Sequence, residues 1–316
     1  MTRLSVVICT HNPLPAYLQR VLGALAAQTL PRTQWELLLI DNASETPVAP
    51  QVDLSWHPRG RTVREETLGL TPARLRGIAE TDGDVLVYVD DDNLLAPDYL
   101  HGAQALMAAH PRLGAIGAGA LEPEFAVEPS PELRPYLALL ALRSRPTAAS
   151  SHDPRDGECV PWGAGLCVTR AVAQVYVRLV AQLDTHGMLD RRGQRLFGNG
   201  DVAFSWAATR IGQGFGVFPE LRALHLIRAE RITQQYFLRM AFDSTLSNSV
   251  SDYLFLGVEP ARGAHRWQQI VRLPLRAVRR GPFALRMGWA VIRGADRARS
   301  LIEHQGLKPL VLERRT

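Results

Sequence analysis

The sequence predicts an α/β fold, with a mostly parallel central sheet flanked by helices and a helical C-terminal extension. Three observations carry that prediction. Apolar runs at 4–9, 36–40 and 84–89 each end in polar or acidic residues, segments of helical period fill 16–28 and 72–80, and helical spacing dominates from about Gln234 onward.

The first run, LSVVIC, ends at Thr10, His11 and Asn12, and Leu18, Val21, Leu22 and Leu25 then mark one helical face. The run from Glu36 to Ile40 ends at Asp41-Asn42, and the third ends at Asp90, Asp91 and Asp92. Ligands of open α/β sheets bind beyond the carboxyl ends of the strands, so three strand ends are expected to converge on one polar site. No G-x-G-x-x-G follows the first strand, which argues against a nicotinamide dinucleotide. Residues 123–161 hold seven of the 21 prolines and predict an irregular stretch with one short helix at 136–142. Regular patterning resumes with VPWGAGLCVTRAVAQVY.

Composition narrows the class. A chain of 316 residues, 46% hydrophobic and 21% charged, is long enough for one large α/β domain plus an appendage and excludes a disordered chain. Its net charge of +5 is unevenly placed: residues 261–316 carry 13 Lys or Arg against three acids, leaving −5 on residues 1–260. Lys308 is the sole lysine, so arginine richness is partly a habit of the chain. Cys9, Cys159 and Cys167 have no zinc spacing, and their odd number argues against a disulfide framework. No uncharged apolar stretch of about 18 residues occurs, so a cytoplasmic protein without a membrane span is expected.

The acidic triplet holds the densest chemistry. In an extended backbone Asp90 and Asp92 point together and Asp91 away. One or two such carboxylates, completed by phosphates and water, suit a hard divalent cation such as Mn²⁺ or Mg²⁺. An EF-hand is excluded, because Leu94 stands at position five and no glycine follows. The alternative is a solvated acidic turn capping a helix.

VVICTHNP at 6–13, LLIDNAS at 38–44, GLTPARLRGI at 69–78 and VDDDNLLAPDYL at 89–100 resemble the successive signatures of glycosyltransferase family 2, with the GT-A fold. The resemblance extends over about residues 4–240. It implies an enzyme that binds a nucleoside-diphosphate sugar through a divalent metal, usually inverting the anomeric carbon. By the same resemblance Thr10, His11 and Asn12 lie against the nucleobase, Asp41 reads its edge and Arg74 sits beside the nucleotide. Leu75 replaces the family's usual asparagine. Asp92 is the first choice of metal ligand, with Asp90 or Asp91 at the ribose and Asp90 also a candidate ligand. The alternative for Asp41 is a helix or turn cap.

PWGAGLCVTR resembles the family's acceptor-side loop, where close backbone approach to a sugar or phosphate accounts for Gly163 and Gly165. Trp162 stacks on a sugar ring or is a core aromatic. LDRRGQRLFGNGDVAFSWAATRIG resembles a subgroup pattern in which G-E-D is followed by a glycine 11 residues after the aspartate, the spacing of Asp201 and Gly212. Asp201 is assigned as the base that takes the acceptor hydroxyl's proton, with a helix N-cap as its alternative. Gly200 replaces the family's glutamate. In LRALHLIRAERITQQY, His225 matches a family histidine that completes the metal shell or touches the diphosphate. Arg228 and Arg231 after it are assigned to the acceptor side, with forked donors that also suit diphosphate oxygens; the alternative is a plain surface role.

The expected organisation is a catalytic domain over 1–225, with a nucleotide half to about 120 and an acceptor half beyond it, then a basic, mostly helical region over 226–316. Leu285, Trp289 and Ile292, with Arg286, Arg293 and Arg297 on a neighbouring face, suit either a helix lying on an anionic membrane or one packed on the catalytic domain. The membrane reading points to a lipid-linked saccharide or envelope-glycan acceptor. Two rivals remain: a non-catalytic sugar-nucleotide or glycan-binding protein, and a nucleotidyltransferase, for which THNPLPAY supplies no glycine-rich triphosphate loop. Nucleic acid is not expected, because the basic tail lacks interleaved aromatics.

Overall fold

The computed structural model describes residues 2–183, 199–260 and 281–310. It divides into two compact units, one within Met1–Glu124, Leu142–Asp190 and Gly200–Leu226, the other within Phe125–Ala141, Arg191–Asn199 and Ile227–Thr316.

The first unit holds β1 (Leu4–Thr10), α1 (Pro15–Ala26), β2 (Trp35–Asn42), β3 (Gly60–Glu65), α2 (Leu70–Glu80), β4 (Val85–Asp90), β5 (Asn93–Leu95), α3 (Tyr99–Ala109), β6 (Leu113–Phe125), β7 (Arg143–Ser144), β8 (Ala149–Ser151), β9 (Cys167–Thr169), α4 (Arg170–Leu183), α5 (Val202–Arg210) and β10 (Gly214–Ile227). All ten strands join one sheet in the order β3-β2-β1-β4-β9-β6-β10-β5, with β7 on β6 and β8 on β10. The α/β class holds. Parallel pairing joins β3-β2-β1-β4, whereas β9 enters antiparallel beside β4 and continues antiparallel to β6. The mostly parallel sheet expected from the first hundred residues thus describes the β3-β2-β1-β4 part, and the sheet as a whole is mixed.

Strands β1, β2 and β4 are buried almost throughout, as parallel strands covered on both faces must be. Register places Thr10 opposite Asp41 and Cys9 opposite Asp90, which brings the three polar strand ends to one edge. Helix α1 starts with Pro15 in its first turn, where the missing N–H costs nothing, and buries Leu18, Val21, Leu22 and Leu25. Helix α2 lies close on β1, because a Cβ at Gly77 would come within 2.6 Å of Val7 Cγ1. That approach sinks Arg74, on the same helix, to 3% exposure.

In the second unit α6 (Gln234–Leu256) is capped by the Thr233 hydroxyl, which accepts the Tyr236 N–H, and ends at Gly257 with φ of 67°. It packs on α7 (Pro282–His304), where a Cβ at Gly294 would meet the Phe242 carbonyl oxygen at 2.5 Å. The short helix expected at 136–142 is a 3₁₀ helix at Arg134–Leu140. On α7 Ile292 is buried, Leu285 is half-buried and Trp289 is exposed, while the small residues Ala284, Gly294 and Ala298 are buried. Arg286, Arg293 and Arg297 are exposed like Trp289. No described helix is long and apolar enough to cross a membrane.

Candidate functional site

The strand ends of the first unit build the floor of the site. At the end of β1, Thr10 donates its hydroxyl to Asp91 Oδ2, and His11 donates from Nδ1 to the Asn42 carbonyl at 2.8 Å. Asn12 adopts φ of 48° and donates its backbone N–H to Ser44 Oγ at 3.0 Å, while its side-chain oxygen accepts the Glu45 N–H at 2.9 Å. The segment after β2 is thereby pinned to the segment after β1.

Asp41 is 3% exposed and heavily engaged. Its oxygens accept the backbone N–H groups of Ser44 and Val48, each at 3.1 Å, and Arg64 Nη1 at 2.9 Å. Burial raises its carboxyl pKa, but these hydrogen bonds and the Arg64 charge outweigh burial and hold it below the usual carboxylate range. A turn-capping role, one of the two expected readings, is therefore present in the molecule.

The acidic triplet is divided as alternation predicts. Asn93 Nδ2 reaches Asp92 Oδ1 at 2.6 Å and Asp90 Oδ2 at 3.5 Å, while Asp91 turns to Thr10. Asn93 pairs with His225 across β5 and β10, and His225 Nε2 lies 3.4 Å from Asp92 Oδ2. Both His225 and Asn93 are buried, and Asn93 Oδ1 has no hydrogen-bond partner among the described residues. Two carboxylates, an imidazole nitrogen and an orphaned amide oxygen are a donor set that fits Mg²⁺ or Mn²⁺. Among the described residues no three His, Cys, Asp or Glu side chains close a cage.

Arg74 joins the two halves of the site. Its guanidinium stacks over Tyr88 at 5.8 Å and lies in the fields of Asp201 and Asp90. Burial disfavours its charge, yet Tyr176, Asp201, Asp90 and Cys9 together hold its pKa above the ordinary arginine value. The Cys9 thiol is pushed up to about 12, chiefly by burial, and stays neutral. Gly163 faces the same place: a Cβ there would stand 3.0 Å from Arg74 Nη2, 3.6 Å from Asp201 Oδ2 and 3.7 Å from Asp90 Oδ2. The Gly163 N–H donates to Asp201 Oδ2 at 2.9 Å, and Val202 N–H donates to Asp201 Oδ1 at 2.9 Å. Asp201 thus caps α5, its expected alternative, while its carboxylate lines the site.

Gly200 has a local reason. A side chain there would begin 2.9 Å from Arg74 Nη1, so the guanidinium stands where the family's glutamate would start. Leu75 is half-buried beside it in the chain. Gly165 has a different reason from the expected approach to a sugar: its φ is +75° and a Cβ would clash with the Tyr99 ring, whose hydroxyl donates to the Gly165 carbonyl at 2.7 Å. Trp162 is half-buried, with the Arg143 guanidinium 3.7 Å over its ring.

The structure therefore groups Asp90, Arg74, Gly163 and Asp201, joins Asp92 to His225, and ties Thr10 to Asp91. Arg228 and Arg231 lie in the second unit, where Arg231 Nε donates to the Tyr236 hydroxyl at 2.9 Å. Sequence reasoning missed Asn93, Arg64 and Arg143. A polar residue directly after three acids and before an apolar pair was a signal for Asn93, whereas Arg64 and Arg143 sit in stretches with no distinguishing pattern.

Comparison with known proteins gives this arrangement its relatives. The model of glycosyl transferase family 2 matches residues 5–143. The succinoglycan biosynthesis protein ExoW of Rhizobium meliloti is 32% identical over 112 residues, which are 34% of this chain and 34% of that protein. The chain thus matches about a third of that relative's length. A mannosyltransferase from Pyrobaculum calidifontis, solved with GDP-Man and Mn²⁺, superposes with a TM-score of 0.55 at 17% identity, covering 96% of this chain and 79% of that one. GalNAc-T7, solved with UDP, GalNAc and Mn²⁺, gives 0.51 at 17% identity over 79% of this chain and 50% of that one. Both structural likenesses bear on the fold. Residues 5–143 thus match the model of glycosyl transferase family 2, and the fold is shared with these solved glycosyltransferases.

Proposed function

We propose that this protein is an inverting glycosyltransferase that moves a sugar from a nucleoside-diphosphate sugar to a hydroxyl of a glycan or lipid-linked acceptor, in exopolysaccharide or cell-envelope synthesis. The observation that carries the reading is the bare backbone at Gly163, flanked by Asp90 from the end of β4 and Asp201 from the start of α5. A carboxylate of the donor side and one of the acceptor side meet there with Arg74 between them. The family match and the glycan chemistry in the name of the rhizobial relative point the same way.

In this reading Thr10, His11, Asn12 and Asp41 hold the nucleoside, and Asp90 or Asp91 faces the ribose. Asp92 and His225, with Asp90 beside them, are the residues that would hold a divalent cation. When bound, that cation supplies neutralisation of the charge on the leaving diphosphate. Arg74, kept charged by its acidic neighbours, holds Asp90 and Asp201 in register. Asp201, oriented by the Gly163 and Val202 N–H groups, accepts the proton of the attacking hydroxyl. One base on the acceptor side and a leaving group opposite give in-line displacement and inverted configuration. Trp162 offers an aromatic surface to the acceptor sugar, and Arg228 and Arg231 are assigned to the acceptor side or the diphosphate.

Thermal denaturation with UDP, GDP, dTDP and CDP, each with and without Mn²⁺, tests the reading, because a ligand that binds only the folded state raises the midpoint. The expected result is a shift by one nucleotide that needs Mn²⁺ and is lost in Asp92→Asn. No shift with any nucleotide and metal overturns the donor site and favours the glycan-binding alternative. The exposed Trp289 among Arg286, Arg293 and Arg297 suits an anionic membrane surface. Sedimentation with phosphatidylglycerol vesicles should fall in Trp289→Ala, and equal sedimentation of both forms removes the membrane contact.

A further inference from the structure

In the first unit Arg143 has no carboxylate within ion-pair distance among the described residues, and it lies beside the residues proposed for the acceptor side. Arg143 stands on β7, opposite Leu121 of β6. Its Nη2 donates to the Val160 carbonyl at 2.9 Å, but its Nη1 is buried and has no hydrogen-bond partner among the described residues. Neighbouring arginines are satisfied: Arg145 pairs with Glu158 at 3.4 Å and Arg155 with Asp153 at 2.6 Å. Asp153, the carboxylate nearest to Arg143 in sequence, is thus already used by Arg155, and Glu158 by Arg145. Leaving a buried charged donor unpaired costs free energy that a bound anion would recover.

The guanidinium is also pre-oriented. Its carbon lies 3.7 Å over the Trp162 ring, a cation–π contact that fixes the plane of the fork and leaves edge N–H groups for a planar or tetrahedral oxyanion. Burial and the Arg145 charge lower its pKa to about 10, against the pull of Cys159 and Asp201, so it remains a cation at neutral pH. Its place in the site follows from the chain: Trp162 directly precedes Gly163, whose N–H holds Asp201.

We propose that Arg143 and Trp162 form an acceptor subsite for an oxyanion, a carboxylate or phosphate carried on the acceptor saccharide, so that the protein selects acidic over neutral acceptors. This rests on the glycosyltransferase reading above and names the acceptor class for it. Trp162 supplies the flat apolar surface under a sugar ring, and Arg143 supplies the charge that discriminates.

The test uses the full chain with the nucleotide and Mn²⁺ that stabilise it. Ligand-observed NMR titrations compare 4-nitrophenyl β-glucuronide, 4-nitrophenyl β-glucoside 6-phosphate and the neutral 4-nitrophenyl β-glucoside. At least one anionic probe should bind about tenfold more tightly than the neutral one, as expected for a hydrogen bond to a charged group. The tighter of the two names the anion as carboxylate or phosphate. Arg143→Gln should erase the preference and Arg143→Lys should retain part of it, while both keep the nucleotide–Mn²⁺ thermal shift and so remain folded. Equal or undetectable binding of all three probes by the wild type, or a preference that survives in Arg143→Gln, overturns the subsite. Loss of the nucleotide shift in the wild type itself would instead strike the glycosyltransferase reading.

Discussion

In the first unit the residues proposed for the donor side and those proposed for the acceptor side are assembled by different rules. Donor-side residues hang from the ends of three adjacent parallel strands, and the register of β1, β2 and β4 alone brings Thr10, Asp41 and Asp90 to one edge. Acceptor-side residues come from β7, the loop before β9 and the start of α5, and they meet through contacts such as Gly163 N–H to Asp201 and Arg143 over Trp162. The carboxylates differ accordingly. Asp41 is committed to its own loop by two backbone N–H groups and Arg64, whereas Asp201 is held by two N–H groups and bordered by the bare Gly163. A donor side built this way tolerates little change without loss of structure. The acceptor side offers side chains whose loss should alter chemistry while leaving the fold.

The sharpest test of that contrast is Asp201→Asn. An amide keeps the shape and can still accept one of the two N–H groups that Asp201 now accepts, but it cannot take a proton. Transfer should fall by about 10²–10⁴-fold while the nucleotide–Mn²⁺ thermal shift is unchanged. Turnover near the wild-type rate would remove Asp201 as the base and leave it a helix cap.

Asp41→Asn probes the opposite side. The amide presents an N–H where the carboxylate accepted one, so the loop to Val48 and the bond to Arg64 weaken together, at a cost of about 1–3 kcal/mol. Melting temperature and nucleotide affinity should fall in parallel. Because the folded pKa of Asp41 lies below the ordinary value, its contribution is full above the unfolded pKa and is lost as pH falls through the folded one. Nucleotide affinity that survives a clear drop in melting temperature would make Asp41 a turn cap and nothing more.

The same contrast explains what could be read from the chain beforehand. Continuous apolar runs ending in Thr10, Asp41 and Asp90 announce buried parallel strands and their functional ends, since both signals lie in one segment. The edge strand β3, GRTVRE, is half-exposed and carries no apolar run, so no periodicity marks it, and Arg64 upon it went unread with it. The antiparallel half escaped for a related reason. Strand β9 spans only Cys167–Thr169, and its pairing with β4 joins residues about eighty apart in sequence. Arg143 sits on a strand of two residues inside the proline-rich stretch, where identity alone cannot separate a surface arginine from one stacked on Trp162. Asp201 was legible only through its resemblance, since its capping of α5 and its place in the site predict the same residue.

Gly200→Ala asks how far the Arg74 link between the sides can bend. The new Cβ would stand 2.9 Å from Arg74 Nη1, the far end of a flexible side chain, and in ordinary contact with Thr71 Oγ1 at 3.6 Å. The guanidinium should shift by a few tenths of an ångström, and the donor KM should rise severalfold with kcat little changed. A donor KM equal to the wild type would show that Arg74 does not set the donor geometry.

The smallest effect at neutral pH is expected away from the site, at His57, which separates general stability from the behaviour of either side. His57 packs 4.2 Å from the Trp35 ring and 5.6 Å from Trp56. Its Nδ1 accepts the Arg59 N–H at 3.1 Å, so the neutral ring carries its proton on Nε2, which has no partner among the described residues. Burial, reinforced by the Arg32 and Arg59 charges, lowers its pKa from 6.5 to about 4. The unfolded chain therefore binds the extra proton first, and stability should decline as pH falls from about 6.5 toward 4. Phenylalanine at this position cannot titrate and removes the unsatisfied N–H. His57→Phe should thus match the wild type within about 1 kcal/mol at pH 7.5 and lose less stability than the wild type by pH 5, with the nucleotide shift intact at both. An equal acid slope in the two proteins would place the titrating group elsewhere.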